Sequence, residues 1–198
     1  MITSFLRQAA AGLRVLLALS VVVGALYPLA VWAIAHLAFP GQANGSKVTA
    51  HGRTVGSSLL GQDFTGRRWF HSRPSAAGSG GGYDTLASGA SNLGPTNGKL
   101  LTQVRQRRAA AATWNGTTPS RVPADALTAS GSGLDPHISP AYARQQATRV
   151  ATARGLTDRQ VHDLVDGHID GRVLGFLGEP RVNVLELNLA LERLARKG

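Results

Sequence analysis

The sequence predicts an α+β domain behind one N-terminal transmembrane helix, and three observations support this. The run from Val15 to Phe39 carries no Asp, Glu, Lys or Arg. The C-terminal half holds three stretches of helical apolar spacing, each opened by capping residues. Short extended runs lie between and before them, punctuated by Gly, Ser and Pro.

As a helix, residues 15–39 span about 37 Å at 1.5 Å per residue, enough to cross a hydrocarbon core of about 30 Å with some tilt. Tyr27 and Trp32 serve as interfacial anchors or as packing contacts on neighbouring helices. Pro28 removes one backbone hydrogen bond and is expected to kink the helix. Ser20 and Gly24 are small, and with His36 they suit helix–helix contact. Ala33-Ile34-Ala35 fits a small-x-small cleavage site, but the apolar run exceeds the ~7–15 residues of a signal peptide, so a retained anchor is expected. Arg7 and Arg14 precede the span, and Lys47 and Arg53 follow it. This mild bias places residues 1–14 in the cytoplasm and the large domain outside.

Residues 40–46 read as a polar linker, and residues 47–198 as a single mixed extracytoplasmic domain. Within it, Arg53 to Leu60 reads as a strand interrupted at Gly56, and Arg68 to His71 as a short second one. Ser79 to Gly82 is a flexible loop, and Ser88 to Asn97 holds Gly-type turns and Pro95. A helix is expected over Gly98–Ala112, with Leu100, Leu101 and Val104 as its apolar stripe and Arg105, Arg107 and Arg108 on its solvated side. A short strand near Leu127–Ala129 precedes the turn Ser130–Gly133. Ser139 and Pro140 form an N-cap and N1 pair opening a helix that Gly155 closes. Thr157 and Gln160 make a capping box for the next helix, which ends by Gly167. Arg172 to Leu177 reads as a strand. A final helix begins at Asn183, with Glu186 placed for another box, and packs against a small sheet.

The formal charge is +10, yet the basic residues are scattered and aromatics are few, which argues against a nucleic-acid partner. The absence of cysteine excludes disulfides and thiolate chemistry. Asp135 and His137, with Ser130 and Ser132, have the residue types of a nucleophilic triad, but such close neighbours rarely converge, and Asp135 is expected to bond to backbone in a turn. His162 and Asp166 share a helix face at i, i+4 beside Asp163, His168 and Asp170. They fit no H-E-x-x-H or calcium-loop pattern, so no metal is expected. No P-loop is present, and Asp63, Asp84 and Asp125 have no spacing that forces them together. Two classes survive: a membrane-anchored accessory subunit and a membrane-anchored extracytoplasmic enzyme of the cell envelope.

The stretches YPLAVWAIA, FPGQANGS, GSSLLGQDFTGRRWFHSRPSA, SGASNLGPTNGKL, TASGSGLDPHISPAYARQQATRVATARGL and GEPRVNVLELNLALERL run in order from Tyr27 to Leu194. In these the chain resembles the KdpC family, the C chains of the Kdp potassium-transporting P-type ATPases. Ala90 stands where a second Gly is expected, and the Gly-rich insert before Tyr83 reads as a loop. The resemblance implies a complex in the bacterial inner or plasma membrane, in which a pore subunit and a P-type ATPase subunit handle potassium and ATP. This chain is then a non-catalytic partner that supports assembly and acts as a catalytic chaperone raising the pump's ATP affinity, with Gln146 as the carried-over position. On the plainer reading Gln146 is an exposed helix residue bonded to a neighbour. The turn Ser91-Asn92-Leu93-Gly94-Pro95 is expected to dock on the pore subunit. An outer domain cannot touch cytoplasmic ATP, so the implied effect on ATP use is allosteric.

Overall fold

The computed structural model describes residues 2–78 and 82–196, so Ser79 to Gly81 of the expected Gly-rich loop lie outside the described residues. The chain divides into two compact units between Lys47 and Val48.

The first unit is helical from Ile2, well before the charge-free run begins. It comprises α1 (Ile2–Val21), a π turn (Val22–Leu26) and α2 (Tyr27–Ala38), a 37-residue stretch long and apolar enough to cross a membrane. None of its residues is buried within the chain. The irregularity expected at Pro28 takes the form of the π turn: the Tyr27 N–H reaches the Val22 carbonyl five residues back. Pro28 follows with no N–H to offer, and a π turn is one way a helix absorbs that loss. One turn further on, His36 Nδ1 lies 2.9 Å from the Trp32 carbonyl, and the two rings stack at 4.5 Å. The expected linker contains a short helix, α3 (Pro40–Ala43).

The second unit opens with the hairpin β1 (Lys47–Ala50) and β2 (Arg53–Ser57). Its two-residue turn places His51 at φ 52° and Gly52 at φ 73°, as tight hairpins require. After a long irregular course come α4 (Gly98–Asn115), two 3₁₀ turns (Pro119–Arg121 and Ala124–Ala126), β3 (His137–Ile138), α5 (Pro140–Arg154), α6 (Asp158–Asp166), β4 (Ile169–Asp170), β5 (Arg181–Asn183) and α7 (Val184–Ala195). The second sheet is antiparallel in the order β3-β5-β4, with Ile138 and Ile169 both opposite Val182. Phe70, Ala147, Val150, Val161, Val182 and Leu187 have no exposed surface. They join α5, α6, α7 and the sheet in one core.

The helices begin where their caps predict. Ser139 Oγ accepts the Tyr142 N–H at 3.0 Å, and Thr157 and Gln160 form the reciprocal capping box. Asn183 Oδ1 accepts the N–H groups of Leu185 and Glu186. Gly155, at φ 67°, ends α5, and the Leu156 N–H returns to the Ala151 carbonyl at 3.0 Å, the bonding of a Schellman motif. That tight exit folds α6 back on α5.

Several strand expectations are corrected. The first strand stops at Ser57, not Leu60, and gains β1 as its partner. The segment 127–129 is not a strand, and the chain near it forms the 3₁₀ turn Ala124–Ala126. Residues 172–177 form a tight hairpin tip with a single Val173–Leu177 bridge, while the sheet is built from β4 and β5 on either side. Residues 68–71 are a turn and bend running into irregular chain, and among the described residues they pair with no strand. On α4, Leu101 is exposed while Val104, Ala111 and Ala112 pack on the core. Arg107 is half-buried and donates to the Leu127 carbonyl at 3.0 Å, so it departs from the expected solvated cluster.

Candidate functional site

The backbone of Phe70 and His71 is held by side chains instead of a strand. Gln146, on α5, accepts the His71 N–H at 2.7 Å through Oε1 and donates through Nε2 to the His71 carbonyl at 3.1 Å. Asn188, on α7, does the same for Phe70, with both bonds at 2.9 Å. Two carboxamides thus supply the donor and acceptor pairs that a neighbouring strand would offer, and they satisfy buried backbone groups that are costly to leave unpaired. Gln146 is 0% exposed, which corrects the expectation of an exposed helix residue. In this conformation its amide has no surface to present to a nucleotide.

Arg149 completes this arrangement. It is 4% exposed, and its donors go to neutral acceptors: Nε to Asn115 Oδ1, Nη1 to the Arg67 and Trp69 carbonyls, and Nη2 to Gln146 Oε1. Burial lowers its pKa to about 10, still charged at neutral pH. The carbonyl dipoles, together with the C-terminal end of α4 where Asn115 sits, offset a charge that pairs with no carboxylate among the described residues. Trp114 adds to this from Arg149 at 5.9 Å and from Arg67 at 5.2 Å. The role of Arg149 was legible in principle. Ala143, Gln146, Ala147 and Val150 fall at i, i+3, i+4 and i+7, a spacing that turns Gln146 inward, and Arg149 lies three positions after Gln146 on the same side.

His71 borders a cavity of about 310 Å³ with Asp63, Arg107 and Tyr142. Burial holds its imidazole below the usual 6.5, against the opposing bond between Nε2 and the Gly66 carbonyl at 2.9 Å. Tyr142 is pushed up to about 12 by burial.

The Asp135 neighbourhood is a structural turn. Asp135 Oδ1 accepts the His137 N–H at 3.0 Å and lies 3.2 Å from its Nδ1, while Oδ2 faces Arg73 Nη1 at 3.1 Å. Burial acts to raise the Asp135 pKa, but the bonds from His137 and Arg73 outweigh it and hold the carboxyl below its usual range. Ser132 Oγ accepts the Leu134 N–H. Ser130 Oγ is buried without a partner beside a cavity of about 570 Å³. Two of the three carboxylates without a forced spacing are used locally: Asp125 accepts from the Ser139 N–H and hydroxyl, and Asp84 accepts the Leu86 N–H.

The α6 acidic and histidine residues are dispersed as well. Asp166 pairs with Arg144 at 2.9 Å, Asp163 with Arg159 at 3.7 Å, and His168 Nδ1 lies 2.7 Å from the Leu164 carbonyl. Among the described residues, no three His, Cys, Asp or Glu side chains gather to hold a metal. Ser91, Asn92, Gly94 and Pro95 are exposed and Leu93 is half-buried. Asn92 is in the left-handed region at φ 51°, and a Cβ built on Gly94 meets nothing within 4 Å. Ser20, Gly24, Tyr27, Pro28 and Trp32 are all exposed within the chain, with Gly24 in the π turn, Tyr27 and Pro28 directly after it and Trp32 further along α2.

Comparison with known proteins covers both units. The family model described as the K⁺-transporting ATPase c chain, KdpC, matches residues 9–193. A potassium-transporting ATPase KdpC subunit of Kineococcus radiotolerans is 57% identical over 194 residues, covering 98% of this chain and 97% of the relative. The protein of that name from Mycobacterium tuberculosis is 51% identical over 189 residues, covering 95% and 99%. One from Myxococcus xanthus is 53% identical over 182 residues, covering 91% and 85%.

Proposed function

The chain belongs to the KdpC family, the c chains of K⁺-transporting ATPases, and from that premise we propose that it is a non-catalytic accessory subunit of an ATP-driven potassium uptake complex. It stands beside a potassium-pore subunit and a P-type ATPase subunit in a bacterial inner or plasma membrane. The observation that carries this reading is the match over residues 9–193, which takes in the apolar helix and the mixed domain together. The alternative of a cell-envelope enzyme is not favoured.

In this reading residues 15–39 form a retained single span, with residues 1–14 in the cytoplasm and the mixed domain outside. Ser20, Gly24, Tyr27, Pro28 and Trp32 contact neighbouring helices. The turn Ser91–Pro95 docks on the pore subunit: its exposure and the open space around Gly94 leave it free to do so. Catalytic chaperoning of ATP use then passes through the complex as coupling between two sites. Gln146 contributes to it by fixing the Arg67–His71 segment through Arg149 and His71, without touching nucleotide.

The test is to purify the complex with and without this chain and measure potassium-stimulated ATP hydrolysis against ATP concentration. The reading expects poorer recovery of the complex and a raised KM for ATP when the chain is missing; unchanged recovery and KM overturn it. Single cysteines at Ser4 and Arg159, probed with an impermeant thiol reagent in intact cells, should label at 159 and not at 4. The reverse pattern overturns the orientation and reopens direct nucleotide contact.

A further inference from the structure

The segment between β4 and β5 carries a built apolar tip that the described residues leave exposed. Val173 is 53% exposed, Leu174 80%, Phe176 69% and Leu177 49%. This is not a frayed loop. The N–H groups of Val173 and Leu177 each donate to the other's carbonyl at 2.9 Å, and Arg172 Nη2 braces the base against Glu179 Oε2 at 2.9 Å. The reversal places Leu174 at φ 54° and Gly175 at φ 82°. A left-handed backbone suits Gly or Asn far better than a bulky residue, yet the position at the apex is leucine. The chain accepts backbone strain at the point where it displays apolar surface, a combination that points to function.

We propose that this hairpin, Arg172–Glu179, inserts its tip into the interfacial layer of a phospholipid bilayer and so holds the mixed domain against the membrane. The inference rests on the reading of residues 15–39 as a retained span. Three observations favour lipid as the occupant. The tip itself carries no charge, and the two arginines flanking it face acidic partners, Arg172 with Glu179 and Arg181 with Asp170 at 3.9 Å. Insertion therefore drags no unpaired charge into the apolar layer. The second unit as a whole is basic: three of the 21 basic residues (Arg7, Arg14 and Lys47) and none of the 11 acidic ones precede Val48, which leaves it a formal +7. That net charge favours approach to an anionic phospholipid surface, and apolar insertion combined with such attraction is how interfacial segments bind. Finally, only eight residues separate Ala38 from Lys47, four of them coiled in α3. Their reach is at most about 30 Å, which limits how far the hairpin can stand from the bilayer in that reading.

The native chain has no cysteine, so the test uses single cysteines at Leu174, Phe176, Ser20 and Arg159 in the full chain, each labelled with an environment-sensitive fluorophore. The proteins are reconstituted in phosphatidylglycerol–phosphatidylcholine vesicles whose acyl chains are brominated near the headgroup. Ser20 reports the span, and Arg159, whose side chain is 91% exposed on α6, reports a part of the domain away from the hairpin. The expected result is loss of fluorescence at 174, 176 and 20 and none at 159. Quenching at 20 without quenching at 174 or 176 overturns the inference while leaving the span intact. Shielding of 174 and 176 that appears only when other subunits are added likewise overturns it, assigning the tip to a protein groove. No quenching at 20 removes the anchored span, and the inference falls with it.

Discussion

Gln146 and Asn188 are polar residues on the buried stripes of α5 and α7, and each holds one residue of the extended chain between them by both backbone groups. Replacing Gln146 with Leu keeps the volume but strands the His71 N–H, the His71 carbonyl and one Arg149 donor. Each stranded group costs about 1–3 kcal/mol, so Gln146→Leu should destabilise the domain by roughly 3 kcal/mol or more, read as a lowered denaturation midpoint. Full stability in that variant would show the clasp to be incidental. His71 supplies a pH signature. Its pKa is lowered in the folded chain, so the unfolded chain takes up the proton first as pH falls. The stability this contributes is complete above the unfolded value near 6.5 and is lost as pH drops from there through the folded value. Melting curves should therefore weaken below about pH 6.5, ahead of carboxylate protonation, and His71→Gln should remove that early loss. Asp135, also lowered, adds a second loss at pH values below the ordinary carboxylate range.

At the scale of elements, local signals and long-range ones behaved differently. Ser139, Thr157 and Asn183 mark helix starts because a cap is a bond between residues two or three apart. Ser139→Ala should cost about 1 kcal/mol for the lost Tyr142 bond, and more because Asp125 loses its hydroxyl donor, checked by chemical denaturation. Gly133 depends on tertiary approach. Its φ is 69°, and an added Cβ would lie 2.5 Å from the Gly89 carbonyl oxygen. Gly133→Ala should thus destabilise by roughly 2 kcal/mol or more, with the Ser88–Gly89 loop the first to lose amide protection. Gly94 is the opposite case. Nothing lies within 4 Å of its added Cβ, so Gly94→Val should leave the domain's melting temperature within about 2 °C while lowering recovery of the complex. Normal recovery would remove the Ser91–Pro95 docking role.

For the whole molecule, the apolar helix and the mixed domain obey different solvents. Ile2–Ala38 buries nothing within the chain, so its side chains need lipid or other helices, whereas the domain satisfies itself around Phe70, Val150, Val182 and Leu187. Gly24→Leu, with open space around it, should leave domain melting unchanged but reduce co-purification with partner helices; unaffected co-purification would place Gly24 toward lipid.

The sequence by itself determined the apolar helix, the helix starts and the α+β class, because hydropathy, capping and turn chemistry act within a few residues along the chain. Its long, ordered resemblance also carried the family. Tertiary structure alone decided the rest. The sheet strands are two or three residues long and gain their identity only from partners far away, as His137 does from Asn183. The expected strand at 68–71 is instead a turn running into irregular chain, and the backbone bonds of His71 and Phe70 go to Gln146 and Asn188, residues 75 and 118 positions distant. The burial of Gln146 and the exposure of Leu174 have the same origin. A residue's surroundings depend on which distant surfaces the packed chain brings to it, and no local spacing encodes that.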